Sequence, residues 1–277
     1  MVQRSERLSV LALAAHLVKR MALSTQEYFG LLLATARASF TQPFYFRDVV
    51  RQMDTIGVSS LAIVLLTGLF TGMVLALQAA VEMERYGATL YIGRVVGASA
   101  VRELGPVLTA LMVTGRAGSG MAAQIGAMRV TEQIDALDTM GVDPIRKLVV
   151  PRVLAGLVVM PMLTVIADIT AILGGLLVAV VKFDLTFDLF MRGVYLTMSE
   201  NGFVFRYMNV DLLSGLLKPV AFGGIMALTS SFYGLRTRGG TEGVGQATTH
   251  AVVTTSVLIL ASDYFLTQLL ITMLIQR

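Results

Sequence analysis

From Thr55 to Val81 the chain runs 27 residues without a single Asp, Glu, Lys or Arg. No other feature limits its fold so strongly. As a helix rising 1.5 Å per residue, such a run is about 40 Å long, more than the roughly 30 Å of a bilayer's hydrocarbon core. Only a helix or a closed barrel satisfies its own backbone hydrogen bonds in lipid, and an unbroken apolar run this long suits the helix. Four further apolar stretches follow, at about 95–128, 153–181, 212–235 and 251–275. Charged residues make up only 14% of the chain, against about 25% in soluble domains. Together with a mean hydropathy of +0.74, this predicts an all-α integral membrane protein with five transmembrane helices. They form one membrane domain over residues 55–277, preceded by a segment at 1–54.

That first segment holds seven of the 22 basic residues, Arg4, Arg7, Lys19, Arg20, Arg37, Arg47 and Arg51, between apolar runs at Leu8–Val18 and Tyr28–Ala36. Neither run is long enough to span, and the mixture suits one or two interfacial helices with basic side chains toward the headgroups. A secretory signal is the rival reading, but Lys19 and Arg20 follow the apolar run at once and no small-x-small cleavage site precedes them. With no cysteine in the chain and its two histidines, His16 and His250, far apart, neither disulfides nor a His-rich metal site is expected.

Within the first span, Gly68 and Gly72 form a G-x-x-x-G pair, which either admits a close neighbouring helix or reflects how common glycine is in membranes. The second apolar region is rich in small residues and carries Arg102, Glu103 and Arg116. The third is interrupted by Asp168 and contains Pro161, expected to kink it. Residues 182–211 mix charges with aromatics and read as an interfacial loop with short helices. The glycine-rich GGTEGVG before the fifth span lacks the lysine of a phosphate-binding loop and reads as a tight turn. With the amino terminus inside, thirteen loop cations face the cytoplasm and six face out, so the positive-inside rule predicts a cytoplasmic amino terminus and an external carboxyl terminus.

Between spans 2 and 3 lies RVTEQIDALDTMG, Arg129–Gly141. At helical spacing Val130, Ile134 and Leu137 share one stripe while Glu132, Asp135 and Asp138 share another, with Gly141 placed to end the helix and Pro144 to stop it resuming. A helix resting on a membrane favours Lys and Arg toward the headgroups. An acidic one on the cytoplasmic side suits a soluble partner instead.

The intramembrane charges each cost about 2.5–3.5 kcal/mol at a helix centre. Arg102 and Glu103 lie toward the outer end of span 2, Lys218 enters span 4 from the same side, and Asp263 is near the middle of span 5, so the opposite signs are expected to pair. They would serve either as a structural ion pair or as a polar patch receiving a lipid headgroup, with Arg102 and Lys218 toward phosphate. Arg116 and Asp168 could pair or line a solvated crevice.

The run VRELGPVLTALMVTGRAGSGMAAQIGAMRVTEQIDALDTMGVDPIRKLVVPRVLAG (Val101–Gly156), followed later by GGTEGVGQATTHAVVTT (Gly239–Thr255), closely resembles the permease subunit of MCE-type ABC transporters, the MlaE/YrbE family. The likeness covers roughly Phe40 to the end. It implies a homodimer with a cytoplasmic ABC ATPase, a periplasmic MCE-ring protein and room for a small cytoplasmic regulatory subunit. It also implies a place in a bacterial inner membrane, phospholipid as cargo and a role in outer-membrane lipid asymmetry. Arg129, Glu132, Asp135, Leu137, Asp138 and Gly141 would form the ATPase-coupling helix, and Leu75, Met83 and Tyr86 would wall the acyl-chain cavity unless they are ordinary packing residues. No Walker A motif occurs in the chain, so this subunit is expected to be non-catalytic and to bind no cofactor, with ATP used by the partner. Two rivals use other residues. Ser119 within Ala117–Gly120 resembles the serine neighbourhood of rhomboid-type proteases, with His250 as base. Asp168, Glu103 and Asp263 could carry protons in a secondary transporter, though no inverted repeat accompanies them.

Overall fold

In the computed structural model, residues 2–200, 203–205 and 208–275 are described. A long helix, α1 (Val2–Ser39), leads through a turn with a cis Gln42–Pro43 bond into α2 (Phe46–Gly57). A short 3-10 stretch at Val58–Ser60 joins α2 to α3 (Leu61–Arg85), and the two read as one 40-residue helix, span 1. Span 2 is built from α4 (Ile92–Ser99), α5 (Gly105–Val113) and α6 (Ser119–Val130), joined by π turns at Ala100–Leu104 and Thr114–Gly118. After the short α7 (Gln133–Thr139), a third π turn at Ile145–Val149 opens span 3, which continues as α8 (Val150–Phe183). Next come α9 (Phe187–Glu200) and a small antiparallel pair, β1 (Phe203–Phe205) with β2 (Met208–Asn209). Spans 4 and 5 are α10 (Val210–Leu235) and α11 (Gly240–Ile275). The protein is an all-α membrane protein in which, among the described residues, five helices are long and apolar enough to cross a bilayer.

The bundle is assembled through glycine. Gly68 and Gly72 on α3 lie against the backbone of Ala167 and Ala171 on α8, and Gly174 on α8 returns the contact at Leu69. At Gly72 the approach leaves no room for a Cβ. Gly156 of α8 and Gly223 of α10 face each other in the same way. The G-x-x-x-G pair of span 1 is therefore a packing seam, and close backbone approach replaces the hydrophobic drive that lipid cannot supply. Val64, Val113, Met160, Phe222 and Met226 fill the centre. Leu66, Phe70, Ile169, Leu173, Val257 and Phe265 stay exposed along the outside, where acyl chains would cover them.

Three stretches differ in detail from the sequence expectation. Pro144 caps the π turn that opens span 3, with helical φ and ψ of −61° and −33°, rather than only standing as a barrier before it, because proline is tolerated where a helix's first N–H groups have no partner anyway. The turn before span 5 is confined to Arg236–Gly239. Gly239 and Gly240 adopt φ of 88° and 69°, and the rest of GGTEGVG is already helix. Arg152, counted among the loop cations, lies inside α8 and is only 3% exposed.

Candidate functional site

Arg129–Gly141 is not one helix. Arg129 and Val130 end α6, Glu132 takes a left-handed conformation at φ 59°, and α7 starts only at Gln133. Gly141, at φ 74°, closes the far end, and the Val142 N–H reaches back to the Leu137 carbonyl at 2.9 Å, as a left-handed helix cap requires. The reversal at Glu132 sets α7 at a new angle to span 2. Its apolar side turns inward: Ile134 is buried with Ile125 and Leu148, and Leu137 packs on the same cluster. Outward it presents Glu132, Asp135, Asp138 and the large, exposed Met140. Arg129 Nη1 donates to Asp135 Oδ1 at 2.5 Å, tying the end of span 2 to α7 in a pair that stays exposed on both sides.

At the opposite end of the bundle three of the four predicted membrane charges, Glu103, Lys218 and Asp263, come together, and Arg102 joins them through its backbone carbonyl. The Lys218 ammonium lies 2.8 Å from Glu103 Oε2, 3.0 Å from the Arg102 carbonyl oxygen and 3.0 Å from Asp263 Oδ1, the last without hydrogen-bond alignment. Lys218 is 1% exposed, so its charge is met wholly by protein oxygens. Pro106, just beyond, has no N–H to offer this stretch of backbone. Arg102 and Glu103 sit in the π turn Ala100–Leu104, the kind of local widening that often marks working sites in helices. Glu103 also accepts from Thr267 at 3.5 Å and keeps 46% of its side chain accessible.

Beside this cluster runs an apolar crevice between spans 1 and 2, lined by Thr67, Thr71, Leu75, Leu104, Leu108 and Met112. Of the three proposed acyl-chain residues, Leu75 lines this crevice. Met83 packs on a core cluster around Ile92 and Phe190, and Tyr86 is 78% exposed at the end of α3.

Other candidates fall apart. Arg116 Nη1 bonds Ser60 Oγ at 3.2 Å, while Asp168 is buried against Gly105 with its Oδ1 lacking a hydrogen-bond partner among the described residues, so the two are not joined. The Ser119 hydroxyl donates to the carbonyls of Gly115 and Arg116, and His250 stacks on Tyr233. No hydrogen bond links that serine and histidine among the described residues.

Sequence reasoning missed the ties that hold the amino-terminal segment. Lys147 bonds Asp48 at 2.6 Å and lies over the Tyr45 ring, Arg146 reaches the Gln42 carbonyl, Arg236 pairs with Glu27 at 3.0 Å, and Tyr28 meets Thr229 at 3.0 Å. Their one sequence signal is opposite charge at the ends of predicted segments, which does not say which ends meet.

A five-span helical bundle with a buried charge cluster at one end and an acidic helix at the other defines a multi-pass membrane subunit of transporter type. Residues 49–269 match the family model described as Permease MlaE, and the chain belongs to that family. It is 43% identical over 251 residues to a protein of Rickettsia bellii named probable ABC transporter permease protein, covering 90% of this chain and 93% of the relative. To the intermembrane phospholipid transport system permease protein MlaE of Haemophilus influenzae it is 39% identical over 226 residues, 82% of this chain and 84% of that one. It is also 34% identical over 222 residues to the chloroplastic protein TRIGALACTOSYLDIACYLGLYCEROL 1 of Arabidopsis thaliana, covering 80% of this chain and 61% of the relative.

Proposed function

We propose that this chain is the non-catalytic permease subunit of an ATP-driven phospholipid transporter in a bacterial inner membrane. It would act as a homodimer with a cytoplasmic ATPase, a periplasmic MCE-ring protein and a place for a small cytoplasmic regulatory subunit. Its amino terminus and α7 face the cytoplasm and its carboxyl terminus the periplasm, in keeping with the distribution of loop cations. Moving phospholipid between the inner membrane and the ring would serve the lipid asymmetry of an outer membrane. The name of the Haemophilus relative, an intermembrane phospholipid transport system permease, supports phospholipid as the cargo.

The observation that carries this reading is the position of Glu103. It is ion-paired to a buried lysine yet nearly half accessible, on the same π turn as Leu104 of the apolar crevice. A phospholipid needs that combination, an apolar wall for a chain next to a fixed charge arrangement for a headgroup. Arg102 would face the phosphate, because a guanidinium matches its oxygens with a planar fork of donors. Lys218, enclosed by oxygens, would hold Glu103 and Asp263 in place. Leu75 would contact the chain, with Met83 and Tyr86 at the mouth. At the other end α7 would seat in the ATPase, with Glu132, Asp135 and Asp138 outward, Leu137 anchoring it from beneath, and Arg129 and Gly141 fixing its two ends.

The test is ATP-dependent transfer of labelled phospholipid in vesicles carrying the chain with its co-purifying ATPase. Charge reversal at Glu132 and Asp135 is expected to stop transfer while the membrane dimer stays folded. Unchanged transfer would contradict the coupling role.

A further inference from the structure

The second π turn of span 2, Thr114–Gly118, holds a further cation of that span, Arg116, and leaves it exposed. Thirteen residues, or about 20 Å of helix, separate it from Glu103, so it belongs to a different part of the bundle. Arg116 opens on a cavity of about 300 Å³ between α2 and α6, bordered also by Gln52, Thr55 and Gln124. Among the described residues no carboxylate lines this cavity, and the only partner of Arg116 is the Ser60 hydroxyl. A guanidinium within a span carries a cost of a few kcal/mol unless its charge is answered, and one neutral hydroxyl uses one of its five N–H donors.

Behind the cavity, buried Arg152 donates to Gln124 Oε1 at 2.6 Å and to the Leu148 carbonyl at 2.6 Å. Because a guanidinium can only donate, that contact fixes the amide oxygen of Gln124 toward Arg152 and leaves its NH2 group for the cavity. Arg152 thus converts an ambiguous amide into a donor. The open space around Gly115 and Gly120 on the same helix leaves the approach clear. Gln52 and Thr55 lie where the charge-free run of span 1 begins, on the α7 side of the bundle, the level at which that leaflet's headgroups meet its chains.

We infer that this cavity is a second oxyanion site, taking the phosphate group of a phospholipid from the leaflet on the α7 side, with Arg116 as its cation and Gln124 as an oriented donor. It is separate from the Lys218 cluster and does not depend on the role given to that cluster. Depth favours a lipid phosphate over free phosphate, because the lining sits at the membrane boundary rather than in a soluble cleft.

Native mass spectrometry of the full-length chain in maltoside micelles, titrated with phosphatidylglycerol, tests it. Arg116→Gln is expected to weaken one binding event about tenfold, the loss of about 1.4 kcal/mol, with Gln124→Leu weakening the same event less and Arg116→Lys retaining part of it. Lys218→Met should leave that event unchanged, which separates failure of this site from failure of the Lys218 reading. Saturable binding of inorganic phosphate without lipid, lost in Arg116→Gln, would support the oxyanion site but move its source to a solute. Unchanged titration in both Arg116→Gln and Gln124→Leu would overturn the site. A change confined to the monomer–dimer ratio would also overturn it, assigning this face to a second copy of the chain.

Discussion

The two ends of the bundle use the same chemistry in opposite ways. At one end Lys218 is enclosed by Glu103, Asp263 and the Arg102 carbonyl, with nothing of the lysine left for solvent. At the other, Arg129 and Asp135 form a pair at 2.5 Å with 38% and 56% of their side chains accessible. Removing one member of a buried pair strands the other and costs about 3–5 kcal/mol in soluble proteins. Exposed pairs contribute about 0.2–1 kcal/mol. The first arrangement is committed to the inside of the protein. The second holds α7 loosely at its place and leaves the acidic side for something outside.

That contrast is easiest to break at Lys218. Lys218→Met leaves two carboxylates facing each other across spans 2 and 5, and the largest effect is expected here. Transfer should be lost, and the melting temperature in detergent should fall by several degrees, somewhat less than a fully buried pair implies because Glu103 is partly solvated. A melting curve unchanged from wild type would remove the distinction between the ends.

Next in size is the apolar seam. Gly72→Leu places a side chain where the Ala171 backbone already lies, and overpacking of this kind costs about 1–3 kcal/mol or more. The expected outcome is poor recovery of folded chain on size exclusion. Gly115→Ala, with open space around it, should be recovered like wild type. Smaller still is the effect of Glu132→Lys with Asp135→Lys on folding: under about 1 kcal/mol by the measure of exposed pairs, while ATPase retention on a tagged column should fall sharply. Smallest is Arg129→Ala, which should shift the melting temperature by a degree or so and leave the ATPase bound. If it released the ATPase, α7 would depend on that pair more than its exposure suggests.

Much of this was legible in the sequence, and the rest was not for identifiable reasons. The spans were readable because a charge-free run of this length has one use, and the meeting of Lys218 with Glu103 and Asp263 followed from opposite signs at related depths. The break at Glu132 was not readable, since glutamate is a good helix former and only the packing of Ile134 and Leu137 on Ile125 and Leu148 favours the reversed angle. Those contacts come from two other spans, and periodicity within one segment carries no trace of them. Gly68 and Gly72 announced a seam without naming its partner, because a small residue fits any neighbour. Arg102 and Lys218 were visible, but the use of the Arg102 carbonyl rather than its side chain to meet the lysine needed the two spans side by side.

One variant separates a cluster that merely holds helices together from one that works. In Lys218→Met/Glu103→Gln/Asp263→Asn the buried charges are removed together, which is often neutral or stabilising. Measured as ATP-dependent phospholipid transfer in reconstituted vesicles, the triple variant is expected to be folded, dimeric and bound to its ATPase, yet at least tenfold slower. Transfer at the wild-type rate would show that the cluster only joins spans 2, 4 and 5.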